Sequence, residues 1–207
     1  MSSTKKSKKL KDKWRQKEWI VVYSPPYFGS KPIAYIPITN PESAIGRTIE
    51  VTLYDILKED PQQYSKKLVF QITSISGERG DTIFKSYEYS REYLKSLIRR
   101  GTSMVNFIKD YTTQDKYTLR VYFIAFTLKR INSSKKHRIR MVADKIISEK
   151  AAKLNFNEFV QEIVLGKMGS DIFNEAKKIV LLRHADIRKA KLISKPKIVE
   201  VLPSSSS

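Results

Sequence analysis

The chain has 207 residues with 40 Lys+Arg against 21 Asp+Glu, a formal charge of +19, more cation than solubility asks of one domain and suited to a polyanionic partner. At 41% hydrophobic and 11% aromatic it can bury a core, which excludes wholesale disorder and collagen-like or low-complexity readings; the length suits one domain, or two small ones. Zero cysteines exclude disulfides, thiolate zinc sites, iron–sulfur clusters and thiol nucleophiles, and point to a reducing cytoplasm.

Residues 1–17 carry eight cations, Lys5, Lys6, Lys8, Lys9, Lys11, Lys13, Arg15 and Lys17, against one acid, Asp12. With little apolar beyond Leu10 and Trp14, this segment packs no core and is expected to be a basic flexible arm that orders when its charge is neutralised. Trp14 has two readings, a ring that stacks on an unpaired base or an anchor that folds back onto the domain. The apolar stretch at 19–23 is too short for the ~7–15-residue centre of a secretory signal. The longest apolar run, 121–126, falls well below the roughly 20 residues that span a bilayer. Residues 18–202 are expected to form a single α+β domain and 203–207 a serine-rich disordered tail.

Strands are expected at 19–23, 33–39 and 48–54, the last alternating Ile49, Val51 and Leu53 against Thr48, Glu50, Thr52 and Tyr54. Residues 68–75 and 82–89 flank Gly77-Glu78-Arg79-Gly80 and read as a hairpin. Ser90 is an N-cap candidate for a helix with Tyr93, Leu94, Leu97 and Ile98 on one face, stopping at Gly101. A second strand pair follows at 104–111 and 117–129, and its second member, apolar on both faces through 121–126, is expected to be the central strand. The period then becomes helical: Ile139, Val142, Ala143, Ile146 and Ile147 predict a helix over 138–154 with a basic first turn. Asn157 caps a short helix to Leu165 and Ser170 another to Val180, with Gly166 and Gly169 as punctuation. A last strand at 187–193 is expected at an edge or to end at Pro196. The fold class is α+β, an antiparallel, barrel-like sheet body with packed helices.

The constellations of catalysis are missing. The seven glycines form neither G-x-G-x-x-G nor a P-loop. His137 and His184 sit beside cations, which disfavour an imidazolium and repel a metal; both suit hydrogen bonding to backbone or phosphate. Asp55, Glu59 and Asp60 are the closest acidic group and the basis of a metal-nuclease alternative, although their spacing suits a short solvated helix or turn. No catalytic residue, cofactor, metal site or small-molecule substrate is assigned. A membrane partner for the arm would need a lipid anchor or apolar face, and neither is apparent.

The cations recur in tracts. Lys129, Arg130, Lys135, Lys136, Arg138 and Arg140 follow one another with no acid between, and Arg183, Arg188, Lys189, Lys191, Lys195 and Lys197 oppose only Asp186. With the arm, these make three tracts able to meet phosphates at several points. No zinc finger, basic zipper or helix-turn-helix accompanies them, so the expected ligand is structured RNA. Arg47 and Arg120 join the candidate contacts, with the condition that Arg120 needs a charge partner if it lies on a buried face.

Four separated blocks, together with the arm, resemble the small-subunit ribosomal protein S-three-A family of archaea and eukaryotes, in order over nearly the whole chain. They are Lys17-Glu18-Trp19; Gly46-Arg47-Thr48-Ile49-Glu50-Val51-Thr52-Leu53-Tyr54-Asp55; Tyr117-Thr118-Leu119-Arg120-Val121-Tyr122-Phe123-Ile124-Ala125-Phe126-Thr127-Leu128-Lys129-Arg130; and Arg188-Lys189-Ala190-Lys191-Leu192-Ile193-Ser194-Lys195-Pro196-Lys197. The resemblance implies a non-enzymatic component of the small subunit in the cytoplasm, on the platform near the messenger exit and the 3′ region of the rRNA. Its implied partners are small-subunit rRNA, neighbouring ribosomal proteins and messenger RNA near the exit. It also implies a β-rich body with packed helices, and the serine tail suggests the archaeal form. Where the family carries Thr-Asp-Gly-Tyr, this chain has Gln114-Asp115-Lys116-Tyr117, a turn without its glycine. The alternative outside the family is a free-standing RNA- or DNA-compacting protein.

Overall fold

A computed structural model describes residue 14 and residues 17–196 of the chain. β1 (Glu18–Tyr23) pairs antiparallel with β2 (Pro32–Ile38), and β3 (Thr48–Thr52) runs straight into a short helix, α1 (Leu53–Leu57). β4 (Lys66–Ser76) and β5 (Arg79–Tyr89) form the expected hairpin, with Gly77 at φ +59° in its turn. Then come α2 (Arg91–Leu97), β6 (Met104–Thr112), β7 (Thr118–Thr127), α3 (Ser133–Lys153), α4 (Phe156–Leu165), α5 (Lys167–Lys177) and β8 (Leu182–Ser194).

The expected class, α+β, is the observed one, but the antiparallel barrel needs correction. The sheet runs β2-β1-β5-β8-β7-β6, while β4 pairs with β5 and carries β3 on its other side. It is mixed, because β1 runs parallel to β5 through Val21 opposite Arg79 and Val22 opposite Gly80. It is also open: among the described residues no pairing joins β6 to β3 or β2. α3 lies along β6, and its Arg140 Nε donates to the Asn106 carbonyl at 3.0 Å, so a helix occupies this flank rather than a closing strand.

One face of the sheet is dry. Leu68, Phe70, Phe84, Tyr87, Leu119, Val121, Phe123 and Ala190 pack against Ile139, Ala143 and Ile147 of α3, Phe159 and Ile163 of α4 and Ile172 of α5. A smaller core of Ile20, Val22, Ile38, Ala44 and Ile72 lies under the β1–β2 pair. Gly80, expected only as a turn residue, belongs to this second packing: a Cβ there would meet Val22 Cγ2 at 3.4 Å.

Several boundaries move for identifiable reasons. Strand β3 ends at Thr52 because Thr52 and Asp55 form a capping box; Thr52 N–H donates to Asp55 Oδ2 at 3.0 Å, and Leu53 is buried as the first residue of α1. α2 is capped by Ser90 as expected, its hydroxyl accepting from Tyr93 N–H at 3.3 Å, but it stops at Leu97 and leaves Ile98 exposed. α3 begins five residues before the expected start, since its first turn has no apolar residue for a periodicity to register. Asn155 rather than Asn157 precedes α4, and α5 starts at Lys167 rather than Ser170, directly after Gly166 at φ +85°. Lys116 takes the left-handed conformation, φ +61°, in the turn that the family builds with glycine. β8 is longer than expected and lies between β5 and β7, not at an edge; it ends before Pro196.

Candidate nucleic-acid interface

α3 buries Ile139, Ala143, Ile147 and Ala151 along one stripe and turns its first two turns outward. Lys135, His137 and Arg138 are exposed; Lys136 and Arg140 are half-buried. The first turn contains no acid, and Asn132 makes no side-chain cap. A helix N-terminus already carries about +0.5 of an elementary charge, so cations gathered there work against the helix unless an external anion joins them. No described acid forms an ion pair with Lys129, Arg130, Lys135, Lys136, Arg138 or Arg140.

A buried polar knot holds the loop before α3. Ser103 N–H donates to Thr127 Oγ1 at 2.9 Å, the Thr127 hydroxyl lies 2.6 Å from the Lys129 carbonyl, and Ile131 N–H donates to Ser103 Oγ at 3.2 Å. Thr127 is fully buried and Ser103 nearly so. Lys129 and Arg130 therefore leave the sheet at a fixed point. The same knot brings in Arg99 and Arg100, exposed residues of the chain leading from α2 to Ser103 that the sequence reading passed over. A pair of arginines some thirty positions upstream joins the tract only through the β6–β7 pairing of Met104 with Phe126. Two adjacent arginines before a glycine were the available signal.

The C-terminal tract lands elsewhere. β8 is 13 residues long, about 40 Å at ~3.3 Å per residue. Its start pairs beside Thr127, near the α3 loop, whereas Ser194, just before Lys195, lies opposite Thr118 at the far end of β7. Arg188, Lys191 and Lys195 are exposed. Lys189 is held by Glu88 at 2.7 Å, and Arg120 makes two bonds to Asp110, at 2.7 and 2.9 Å, on the open face of the sheet. That bidentate pair depresses the Asp110 carboxyl and raises the Arg120 guanidinium. Arg120 is thus exposed with a partner of its own. Arg47 is exposed and folds back onto its own turn, Nε donating to the Ser43 carbonyl at 2.9 Å. Trp14 is 63% exposed, with the Lys17 ammonium 3.7 Å from its ring centre, and it is not buried as an anchor. Lys5, Lys6, Lys8, Lys9, Lys11, Lys13, Arg15 and Lys197 lie outside the described residues.

A buried polar cluster around Asp186 holds the helices to the sheet. Asp186 is buried where α4 gives way to α5; Tyr89 Oη donates to its Oδ2 at 2.5 Å and Ile187 N–H to its Oδ1 at 2.8 Å. Burial raises its carboxyl above the usual range, opposed by the Tyr89 bond and the nearby Lys66 ammonium. Lys66, lowered by burial, donates to the last-turn carbonyl of Val164 at 2.9 Å. His184, half-buried beside Tyr89 and Tyr93, is held below its ordinary value by burial, and among the described residues its Nε2 has no hydrogen-bond partner. The acids of the nuclease alternative do not converge: Asp55 closes the α1 capping box, Asp60 caps the next turn by accepting from Gln62 N–H at 2.9 Å, and Glu59 is exposed. Among the described residues no three acids or histidines are grouped as a metal site.

Comparison with known proteins shows the family. The sequence model of the Ribosomal S3Ae family matches residues 5–196. The chain is 39% identical over 205 residues to the small ribosomal subunit protein eS1 of Archaeoglobus fulgidus, covering 99% of this chain and 97% of that protein. It is 40% identical over 196 residues to the protein of the same name from Sulfolobus acidocaldarius, covering 95% of this chain and 100% of that one. A Saccharolobus islandicus eS1 is 40% identical over 198 residues, 96% of this chain and 95% of its own length.

Proposed function

The chain belongs to the ribosomal S3Ae family in its archaeal form, and from that premise we propose that it is a structural constituent of the small ribosomal subunit, in the cytoplasm, acting by binding and not by turnover. The observation that carries the RNA-binding part is a cationic end of the sheet that no described acid pairs: Lys129, Arg130, Lys135 and Arg138 around a helix N-terminus, with the exposed Arg99 and Arg100 on the chain that leads to Ser103. Cations that no described acid pairs, on a surface where they oppose the helix dipole, suit phosphate oxygens supplied from outside. Their role is to fix register and orientation on folded rRNA with little reading of base identity.

Arg188, Lys191 and Lys195, displaced along β8, would grip a second stretch of backbone, and the basic arm 1–17 a third. On the open face, Arg120 and Lys189 are already paired with acids and contribute less charge to RNA than Lys191, which lies opposite Arg120. A position on the platform, near the messenger exit and the 3′ region of the rRNA, is part of the same proposal.

Sedimentation of cell extract at moderate salt tests the assignment: the protein travels with the small subunit, and its rRNA footprint shrinks in Lys135→Ala/Arg138→Ala. On purified rRNA fragments that variant should flatten the slope of log affinity against log salt by about 2, one unit per lost phosphate contact. Recovery of the protein apart from the small subunit would overturn the ribosomal reading in favour of a free-standing compacting protein. An unchanged slope would remove this surface from the RNA.

A further inference from the structure

A second face of the molecule is built for contact of a different kind. In the β1–β2 pair, Trp19 stands opposite Pro37 and Val21 opposite Tyr35, so these side chains and Tyr23 share one face. The other face, with Ile20, Val22 and Ile38, closes the smaller core. Both flanking rings are left in water: Trp19 is 59% exposed and Tyr35 68%. Diagonal neighbours across such a pair lie about 7–8 Å apart, so two largely exposed flat rings stand side by side on a twisted ribbon.

Glu18 and Glu78 line the hollow beside Trp19, so it is the basic segment leading into β1 that favours a nucleic acid over a protein as the occupant of the opposite, ring-bearing face. The Arg79 guanidinium, registered beside Val21, lies 4.7 Å from the Tyr23 ring centre and also pairs with Asp81 at 3.1 Å. Lys17 immediately precedes β1, behind a segment with seven cations and one acid. Glu18, the nearest acid in the strand, alternates onto the opposite face. Aromatic rings flanked by arginine, on a platform reached through a basic segment, match how unpaired bases are held: by ring stacking, with the backbone following positive charge.

We propose that the Trp19–Tyr35 face is a stacking surface for unpaired bases of single-stranded RNA. It rests on the RNA-binding reading above and differs from it in what is recognised, since the α3 surface meets phosphates of any strand whereas this face needs bases out of their pairs.

The test compares the full-length protein on an unstructured RNA of about 12 nucleotides and on a duplex of the same length. Trp19→Ala/Tyr35→Ala should weaken single-strand binding by about 30-fold, about fivefold per ring, and leave duplex binding in place. Trp19→Phe, which keeps a flat ring, should retain most of the affinity. Because both residues are exposed, thermal melts of the variants should match the parent. Lys135→Ala/Arg138→Ala should weaken both ligands, and if it weakens neither while the aromatic pair does, the α3 reading fails and this one stands. Unchanged single-strand affinity in the aromatic variant overturns the proposal. So does a variant that binds RNA normally but enters the small subunit poorly, which would make the face a protein contact.

Discussion

Gly169 shows how much one residue can hide. Its spacing from Gly166 suggested punctuation, yet it lies in the first turn of α5 with ordinary helical geometry. Its requirement is space: a Cβ there would fall 2.3 Å from Asp186 Oδ1 and 3.1 Å from the Ala185 carbonyl. The buried carboxyl, fixed by Tyr89 and by Ile187 N–H, cannot swing away without losing those bonds. Gly169→Ala should therefore destabilise the fold by about 1–3 kcal/mol, the usual range for overpacking, despite alanine's better helix propensity. Chemical denaturation measures it, and a variant as stable as the parent would show that α5 shifts freely against β8. Gly166 is the opposite case, a position whose φ of +85° demands the residue by backbone conformation alone.

At the scale of the element, α3 divides its sequence between two tasks. The stripe Ile139, Ala143, Ile147, Ala151 holds it on the sheet, and Lys109 and Tyr111 of β6 both reach Asp144 of α3, at 2.8 and 2.6 Å. Its first turn serves no purpose in packing. Ser134→Glu, an exposed change in that turn, should raise stability by about 0.3–1 kcal/mol through the helix dipole while weakening RNA binding. Thermal melts and RNA titrations of one protein would show the two effects in opposite directions; a loss of both, or a gain of both, would remove the charge conflict. The apolar period located the later turns of this helix well but was blind to the first, where every side chain is polar and most are exposed.

Across the whole molecule, +19 of net charge is distributed unevenly: acids pair with Lys67, Lys109, Arg120, Lys150 and Lys189, while no described acid pairs with the cations at the start of α3. Like charges at that end repel across the fold and are screened by salt. The melting temperature of the free protein should thus rise from low to moderate salt, over the same range in which its affinity for RNA falls. A melting temperature that drops with salt would mean that the ion pairs outweigh the repulsion. Composition, the three basic tracts, the β4–β5 hairpin, the helical period after β7 and the family likeness were all local patterns, and the sequence alone determined them because neighbouring residues carry the signal. The parallel β1–β5 contact, the open sheet, the bonding of the segment after Arg99 and Arg100 to the end of β7 through Ser103 and Thr127, and the split of the C-terminal tract along β8 were decided only by tertiary structure. Each depends on which strands meet across long stretches of chain, and no local period encodes the closing of those loops.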